Sequence, residues 1–300
     1  MRRDPYARLM LCCVGDLVED VVVWLAAGIR RGTDTPATVF RRRGGSAANV
    51  AALAAVAGGR ARLIGQVGRD PLGETLLAEM SAAGVELAVT RDGTTGTVVV
   101  LVEPDGERTM LPDRAAATRL AGVPPGSLDE ASWLHVPGYS LIVEPLGDTS
   151  RALISRARDR GAGISIDASS VGLIKEYGPA RFGAAVTAIG PDVLFCNKDE
   201  AELLELCPGS PHPGVAFSVI KSGAEPVAIV TESLTHWIPV DPVEEVADTT
   251  GAGDAFAAGY LVATMEGAGP VGAALAASRL AATVLGRPGV GIGTVERPRR

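Results

Sequence analysis

The sequence predicts an α/β fold, in which a mostly parallel sheet carries helices on both faces and a small second sheet projects from it. Short strand-like runs alternate with helical stretches along the chain, which is typical of parallel sheets. These runs are almost wholly apolar, as expected for strands that are buried on both faces. Two further strand pairs have only a turn-forming loop between their strands, and they predict the small sheet.

The main body begins with a buried strand at Leu9–Gly15. The next stretch, Ser46–Ala57, is rich in alanine and predicts a helix that ends at Gly58-Gly59. Leu72–Ala83 predicts a second helix, closed by Gly84. Further buried strands are predicted at Arg62–Val67, Ser132–Val136, Gly163–Asp167 and Asp192–Cys196.

The two strand pairs interrupt this alternation. Glu19–Leu25 and Thr38–Arg43 flank a loop that contains glycine and proline, and Thr97–Val102 pairs with Arg108–Leu111 across the turn at residues 104–106. We interpret them as a lid, from about 17–43 and 94–112, on a single domain that spans 1–300. Such a flap could cover a site or form a dimer contact. The alternative is that both pairs extend the main sheet.

Composition excludes some classes of protein. The net charge of −7 argues against a general nucleic-acid binder, which usually has a basic face. No stretch approaches the roughly 20 apolar residues that span a bilayer, and the apolar run Leu9–Val14 is short for a signal peptide. The four cysteines lack metal-ligand spacing, so we interpret them as buried free thiols. We therefore expect a cytoplasmic protein that binds neither nucleic acid nor membrane.

The most informative segment is Asp248–Gly259, which reads DTTGAGDAFAAG. Gly251, Ala252 and Gly253 leave the backbone open to a ligand at the start of an apolar helix. Helix N-termini favour anions because their N–H groups are unpaired and the helix dipole is positive there. The segment therefore predicts an anion site.

Asp254 follows these three small residues. Its carboxylate could be only a helix-capping charge, but a capping Asp does not need three small residues before it. A dinucleotide fingerprint is disfavoured because Phe256 occupies its third small position. A Walker-type phosphate loop is excluded because the chain has no G-x-x-x-x-G-K-[ST] match.

A second glycine segment, Gly44–Asn49 (GGSAAN), leads into the alanine-rich helix. Gly44 and Gly45 again suggest that backbone approaches a ligand, and Ser46 could be the helix N-cap. Asn49 is a modest helix former, yet it offers both a donor and an acceptor. That combination suits recognition of a hydroxyl group.

Together these segments resemble the ribokinase-like (PfkB-type) carbohydrate kinase family. The chain carries GG-x-x-x-N at Gly44–Asn49, G-x-V-G-x-D-x-x-G at Gly65–Gly73 and DTTGAGDxF at Asp248–Phe256. It also carries GERT at Gly106–Thr109 and N-x-x-E at Asn197–Glu200. The resemblance runs from about residue 9 to residue 293. It implies a doubly wound α/β domain with a β-sheet lid, and transfer of the ATP γ-phosphoryl group to a substrate hydroxyl.

The resemblance also implies residue roles. Asp254 would remove the hydroxyl proton, and Gly251, Ala252 and Gly253 would form the anion hole. The sugar hydroxyls would be held by Asp16, Gly44, Gly45 and Asn49. The Mg²⁺–phosphate end of ATP would be organised by Asn197 and Glu200, and adenine would meet Ser278. A K⁺ site would use Asp248, Thr250 and the carbonyl groups of Val284, Arg287 and Gly289.

The chain departs from the family pattern between Glu200 and Asp248, which looks roughly ten residues short of the usual span. Members of the family usually have a strand there that ends in T/K-x-G and contacts ATP. Either Lys221-Ser222-Gly223 is that motif and the preceding helix is lost, or Val215–Ala224 is that helix and Val227–Thr231 is the strand. Helical spacing favours the second alignment. Thr231 would then contact ATP, and the glycine after it would be missing.

The sequence gives less information on substrate and assembly. Arg41, Arg42 and Arg43 could meet an anionic substrate, although charges guarding an exposed strand edge are the favoured explanation. Aromatic residues make up only 4% of the chain, which favours a free sugar over a nucleoside. Val21, Val23 and Trp24 are expected to be exposed on the lid, which predicts a homodimer through the lid.

Overall fold

The computed structural model describes residues 9–207, 209–243 and 249–285. Its strands are β1 Met10–Val14, β2 Val18–Leu25, β3 Ala37–Gly44, β4 Arg60–Val67, β5 Glu86–Arg91, β6 Thr95–Val102, β7 Arg108–Ala115, β8 Ala131–Pro137, β9 Gly163–Asp167, β10 Val193–Asn197, β11 Phe217–Lys221, β12 Val227–Val230 and β13 Thr235–Ile238. Its α-helices are α1 Ser46–Val56, α2 Pro71–Ala82, α3 Tyr139–Ile142, α4 Leu146–Asp159, α5 Val171–Tyr177, α6 Pro179–Ile189, α7 Lys198–Leu203, α8 Ala252–Met265 and α9 Pro270–Leu285.

Nine strands form the main sheet, in the order β13-β12-β11-β10-β9-β8-β1-β4-β5. Seven of them, from β11 to β5 in that order, pair in parallel, and β12 and β13 add antiparallel strands at one edge. Two apolar clusters lie on the two faces, one containing α1 and α8, the other α4 and α6. The predicted α/β class with helices on both faces is confirmed.

The lid is a separate four-stranded sheet in the order β3-β2-β6-β7. Both predicted strand pairs are antiparallel, and they are joined because β2 and β6 pair in parallel. The alternative that these strands extend the main sheet is therefore wrong. The lid has its own small core, which includes Val18, Val22 and Val100.

The segment after α7 is not the helix that we favoured at Val215–Ala224. Phe217–Lys221 is a strand that pairs in parallel with β10, and it leads directly into Ser222 and Gly223. The second alignment is wrong because Phe217–Lys221 pairs with β10, and none of the described residues between α7 and β11 forms a helix. Lys221-Ser222-Gly223 thus occupies the strand end at which the family pattern places T/K-x-G.

The cysteines agree in part with expectation. Cys12, Cys13 and Cys196 are buried free thiols, whereas the free thiol Cys207 is exposed, contrary to our prediction. None of the helices in the described ranges has the length and apolar character needed to cross a lipid bilayer.

Candidate active site

The parallel strands deliver charged and polar residues to one edge of the main sheet. Asp16 follows β1, Asp167 ends β9, Asn197 ends β10 and Lys221 ends β11. Carboxyl ends of neighbouring parallel strands share an edge, and ligands of open α/β sheets bind there. The first turns of α1 and α8 also lie at this edge, and hydrogen bonds join the two helices there.

Asp254 lies in the first turn of α8, where its carboxylate is held by two residues of α1. Ser46 Oγ donates to Asp254 Oδ1 at 2.8 Å, and Asn49 Nδ2 donates to Asp254 Oδ2 at 2.8 Å. The N-cap of α8 is Gly251, and no side chain caps that helix. Asp254 is therefore not acting as a helix cap, and its carboxylate is oriented across the site.

Burial raises the pKa of Asp254 to about 7, against the opposing effect of the hydrogen bonds from Asn49 and Ser46. The negative charge of Asp167 raises this pKa further, and the ammonium of Lys221 lowers it. A pKa near 7 suits a general base, because the group is then both substantially ionised and basic enough to take a proton at neutral pH.

The predicted anion hole starts at a residue in the left-handed conformation. Gly251 has φ +78°, and it turns the chain into α8. The N–H of Ala252 donates to the carbonyl of Thr249 at 3.3 Å, so it is already engaged. Gly253 and Asp254 occupy the second and third helical positions, where helix geometry supplies no intrahelical acceptor. Their N–H groups are therefore the best placed to bind an anion.

Gly44 and Gly45, which precede α1, both pack closely against other atoms of the protein. A side chain at Gly44 would collide with the carboxylate of Asp20, and one at Gly45 would lie 2.4 Å from the carbonyl oxygen of Asp16. Gly45 is the N-cap of α1, and no side chain caps that helix. Our expectation that Ser46 is the cap is wrong, since its hydroxyl donates to Asp254 instead.

Asp16 and Asn49 are buried, with 4% and 6% of their surfaces exposed. Asp16 Oδ1 accepts from the N–H of Ala47 at 3.4 Å, and Oδ2 lies 3.4 Å from Arg114 Nε. Asn49 Oδ1 accepts from Arg43 Nη1 at 2.7 Å. Because Arg43 takes the amide oxygen, the amide nitrogen of Asn49 must point at Asp254.

The three arginines before Gly44 have different roles. Arg41 and Arg42 pair with Glu19 and Asp20 of the neighbouring strand, at 2.8 and 3.6 Å, and they lie on the edge strand of the lid. This agrees with the edge-guarding explanation. Arg43 is instead buried and orients Asn49. Sequence reasoning missed this role because the pattern RRR does not show which arginine faces inward.

Asn197 and Glu200 form a capping box at the start of α7. Asn197 Oδ1 accepts from the N–H of Glu200, and Glu200 Oε2 accepts from the N–H of Asn197, both at 2.8 Å. Burial raises the pKa of Glu200 to about 7, and the charge of Asp167 acts in the same direction. Helix capping thus accounts for the N-x-x-E spacing, and a role toward Mg²⁺ stays a prediction.

The residues predicted to contact adenine and K⁺ lie on different elements. Ser278 Oγ donates to the carbonyl of Ala274 within α9, and buried Val284 lies in the last turn of that helix. Thr250 Oγ1 accepts from Arg108 Nη1 at 2.6 Å, which links the lid to the loop before α8. Asp248, Arg287 and Gly289 lie outside the described residues.

Thr231 does not lie where the favoured alignment predicted it. It follows β12, which is antiparallel to β11, so that Val230 pairs with Ser218 near the start of β11. Thr231 therefore lies at the opposite edge of the sheet from Lys221 and Asn197. It cannot be the strand end that contacts ATP.

Sequence reasoning did not name Asp167 as a site residue, and it considered Lys221 only as part of the K-x-G motif in the alignment that we did not favour. Lys221 Nζ donates to Asp167 Oδ2 at 2.7 Å, beside Gly253. The available signal was positional: a charged residue that ends a buried parallel strand lies at the ligand-binding edge.

A cavity of about 390 Å³ opens from Asp16 toward the lid. Its walls are largely apolar, and they include Val98 and Met110 of the lid and Leu173 of α5. Arg114 stacks on the ring of Tyr139 at 4.0 Å from the centroid, and both residues line the cavity. The cavity is large enough for a sugar that carries a further substituent.

An oriented carboxylate beside unpaired helix N–H groups, with a cavity under a lid, is the arrangement expected of one class of enzyme, the small-molecule kinases. The profile of the pfkB family carbohydrate kinases matches residues 8–297. The chain belongs to this family, and the resemblance drawn from its motifs is confirmed.

Similar curated proteins differ in substrate. An ATP-dependent ribose-1-phosphate kinase of Halopiger xanaduensis is 33% identical over 226 residues, which cover 73% of this chain and 72% of that one. A fructokinase of Vibrio alginolyticus is 28% identical, over 82% and 81% of the two chains. Adenosine kinase of Saccharomyces cerevisiae is 28% identical, over 75% and 72%.

Solved structures share the fold. An adenosine kinase from Sinorhizobium meliloti superposes with a TM-score of 0.82 at 22% identity, over 95% of this chain and 96% of that one. A fructokinase with bound ATP from Xylella fastidiosa superposes with a TM-score of 0.78 at 21% identity, over 94% of each chain. The relatives therefore support kinase activity toward a sugar or nucleoside, and they disagree on which.

Proposed function

We propose that this protein transfers the γ-phosphoryl group of ATP to a hydroxyl of a small sugar or sugar-like substrate, with Asp254 as general base. The observation that carries the proposal is the carboxylate of Asp254, held by Ser46 and Asn49 beside the N-terminus of α8. A hydroxyl becomes a good nucleophile once its proton can leave, so the base must lie within hydrogen-bond reach. A cytoplasmic location is part of this proposal.

The reaction divides among the residues as follows. Asp16 and Asn49 bind sugar hydroxyls, and the backbone at Gly44 and Gly45 shapes that subsite. The N–H groups around Gly251–Gly253 receive the transferring phosphoryl group, where negative charge is spread over its oxygens. Asp254 takes the proton of the attacking hydroxyl.

Mg²⁺ is part of the proposal because ATP is used with a divalent cation. In the described ranges, no group of three or more His, Cys, Asp or Glu side chains is placed to hold a metal ion. Mg²⁺ keeps much of its hydration and binds mainly through phosphates. Asn197 at the end of β10 and Glu200 in the first turn of α7 are the residues that fit an outer position toward it. Ser278 is the proposed contact for adenine.

The acceptor is best identified by an ADP-release assay across free sugars, sugar acids, sugar phosphates and nucleosides. A free sugar is the first candidate. The apolar cavity next to Asp16 favours a second candidate, a nucleoside, because a base needs apolar walls. Turnover with none of these acceptors would contradict the proposed function.

A rival hypothesis is a weakly active family member that binds ligands. It was motivated by the shortened region from Glu200 to Asp248. The shortened region supports this hypothesis less strongly now, because β11 still reaches the binding edge and ends there at Lys221-Ser222-Gly223. Calorimetric titration with ATP–Mg²⁺ distinguishes the two: no binding at millimolar nucleotide would favour the rival.

We expect K⁺ to raise kcat several-fold, because a cation near Thr250 would order the loop that leads into the anion hole. Val284 is the other predicted member of this site that lies within the described residues, and it is buried in α9. The measurement replaces K⁺ by tetramethylammonium at constant ionic strength. Equal rates in the two salts would count against the site.

We expect a homodimer that associates through the lid. Val21, Val23 and Trp24 are half-buried rather than fully exposed as we expected, but Val39 and Leu111 are each more than 50% exposed. The strand register places Val23 opposite Val39 and Val99 opposite Leu111, so these residues share one apolar face of a thin sheet. Light scattering at micromolar concentration should give twice the mass of one chain, and Val39→Lys should give one chain. A monomeric wild type would overturn the prediction.

A further inference from the structure

Lys221 is one of only three lysines in a chain of 300 residues, and its side chain is largely buried at the binding edge. It ends β11, which pairs in parallel with β10, so its side chain leaves the sheet beside the residues that follow β9 and β10. Its backbone belongs to the K-x-G segment at the ATP-contacting position. The proposed function has so far given its side chain no role.

The side chain of Lys221 is fixed in place. Nζ donates to Asp167 Oδ2 at 2.7 Å, and the two side chains are only 15% and 10% exposed. The ammonium also lies over the ring of Phe195, at 5.8 Å from its centroid. Burial alone would lower the pKa of Lys221, but the charge of Asp167 and its hydrogen bond raise it above the usual value. The ion pair with Asp167 therefore favours the charged form of Lys221.

The ammonium adjoins the anion hole. Nζ lies 3.4 Å from the point that a Cβ would occupy at Gly253. Gly253 has no side chain, so nothing of its own separates the ammonium from an anion bound at its N–H. An ammonium has three N–H donors, and Asp167 accepts one of them. The geometry leaves donors for a phosphoryl oxygen without breaking the ion pair.

We infer that Lys221 is a further catalytic residue, whose ammonium donates to an oxygen of the γ-phosphoryl group during transfer, while Asp167 positions it. The inference rests on the proposed phosphotransfer. In that step the acceptor oxygen bonds to the γ-phosphorus, and the bond to the bridging oxygen breaks with its electron pair going to ADP. The hydroxyl proton passes to Asp254, and Lys221 keeps its own.

The charge of Lys221 is suited to this task. Negative charge is spread over the oxygens of the transferring group, and a fixed cation in a partly dry site stabilises it more than water does. Near this position the protein otherwise presents carboxylates: Asp167 raises the pKa of both Glu200 and Asp254, and all three carboxylates raise the pKa of Lys221. Without Lys221, the phosphoryl oxygens would face this negative cluster.

A purely structural ion pair between the ends of β9 and β11 is the competing explanation. It predicts that removing one partner harms the fold because a buried charge is left alone, and that removing both charges restores the protein. The catalytic explanation predicts that the doubly neutral protein folds but remains slow. The double variant Asp167→Asn/Lys221→Met therefore separates the two, and it also protects the test if Lys221→Met folds poorly.

The experiment compares wild type, Lys221→Met, the double variant and Lys198→Met as matched control. Lys198 also pairs with a carboxylate, that of Glu225 at 3.5 Å, but both side chains are more than half exposed. We expect kcat to fall about 10²–10³-fold in Lys221→Met and in the double variant, because each loses one hydrogen-bond donor to the charge that develops on the phosphoryl oxygens. Lys198→Met should match wild type, because exposed ion pairs contribute little.

Calorimetry supplies a readout that does not depend on turnover. The affinity for AMP-PNP, which has a γ-phosphoryl group, should fall about tenfold or more in Lys221→Met, while the affinity for ADP changes less than about threefold. A kcat within threefold of wild type in Lys221→Met, recovery of the wild-type rate in the double variant, or equal losses for AMP-PNP and ADP would each overturn the inference. A wild type inactive on every acceptor would instead refute the proposed function, and the nucleotide comparison would still test Lys221.

Discussion

Replacing Asp254 by Asn should lower kcat by about 10²–10⁴-fold, the contribution of a general base. Asn retains the size of the side chain and can still accept a hydrogen bond from Asn49, but it cannot take a proton from the acceptor hydroxyl. The affinity for nucleotide should change little, because the backbone N–H groups of Gly253 and residue 254 remain. Rates, nucleotide Kd and a thermal melt of the two proteins measure these expectations.

The pH dependence provides a second measurement of the same residue. The base must be ionised, and the pKa of Asp254 is about 7, so kcat/KM of the wild type should fall tenfold per unit as the pH drops below about 7. In Asp254→Asn this acidic limb should disappear, since the titrating group is gone.

The matched control for this variant is Asp148→Asn. Asp148 occupies the third position of α4, as Asp254 does in α8, but it is 79% exposed and pairs with Arg151 at the surface. Its replacement should leave kcat unchanged. A folded Asp254→Asn protein with kcat within about threefold of wild type would refute the assignment.

Replacing Gly45 by Ala should cost both stability and activity. Gly45 has φ +100°, a region that L side chains adopt at a cost of about 1–3 kcal/mol. The added Cβ would also lie 2.4 Å from the carbonyl oxygen of Asp16, so the backbone on one side must move. That movement displaces Asp16 and the start of α1, which carries Ser46 and Asn49. A displacement of about 1 Å can cost about 10²-fold in rate, which is the expected loss in kcat/KM.

Gly58→Ala separates strain from displacement. Gly58 has φ +88°, close to that of Gly45, but no atom lies within 4 Å of an added Cβ there, and it lies at the other end of α1. Its melting temperature should fall slightly and its kcat/KM should stay near that of wild type. Equal losses of activity in the two variants would show that contact with Asp16 is not the cause.

The sequence predicted the sheet-and-helix body because its strands are buried and its helices are rich in alanine. It predicted the lid because each of two strand pairs is joined by a turn-forming loop without a helix. It failed after α7, where the apolar spacing of Val215, Ala216, Val219 and Ile220 fits a helix as well as a strand. The segment forms a strand because it pairs with β10. Pairing between segments that are distant in sequence cannot be inferred from the local spacing of apolar residues.

The candidate site was only partly visible in the sequence. Glycine motifs indicated where backbone must be open, and Asp254 and Asn49 followed from them. Asp167 was not named, and the contacts of Arg43 and Lys221 were not foreseen, because these depend on which strand ends become neighbours. Thr231 was misplaced for the same reason, since β12 reverses direction relative to β11. Sequence motifs indicate which residues are candidates for a site, whereas the strand order determines which of them lie close together.

The lid connects the two halves of the site. Its strands β2 and β3 begin and end next to Asp16 and Gly45, which belong to the proposed sugar subsite, while Arg108 on β7 donates to Thr250 in the loop before the proposed anion hole. A lid that shifts when sugar binds therefore also shifts the phosphate loop. Thermodynamic reciprocity then requires that the factor by which sugar tightens nucleotide binding equals the factor by which nucleotide tightens sugar binding. The two substrates of this enzyme should thus each report on the other's occupancy, with the small β-sheet as the element they share.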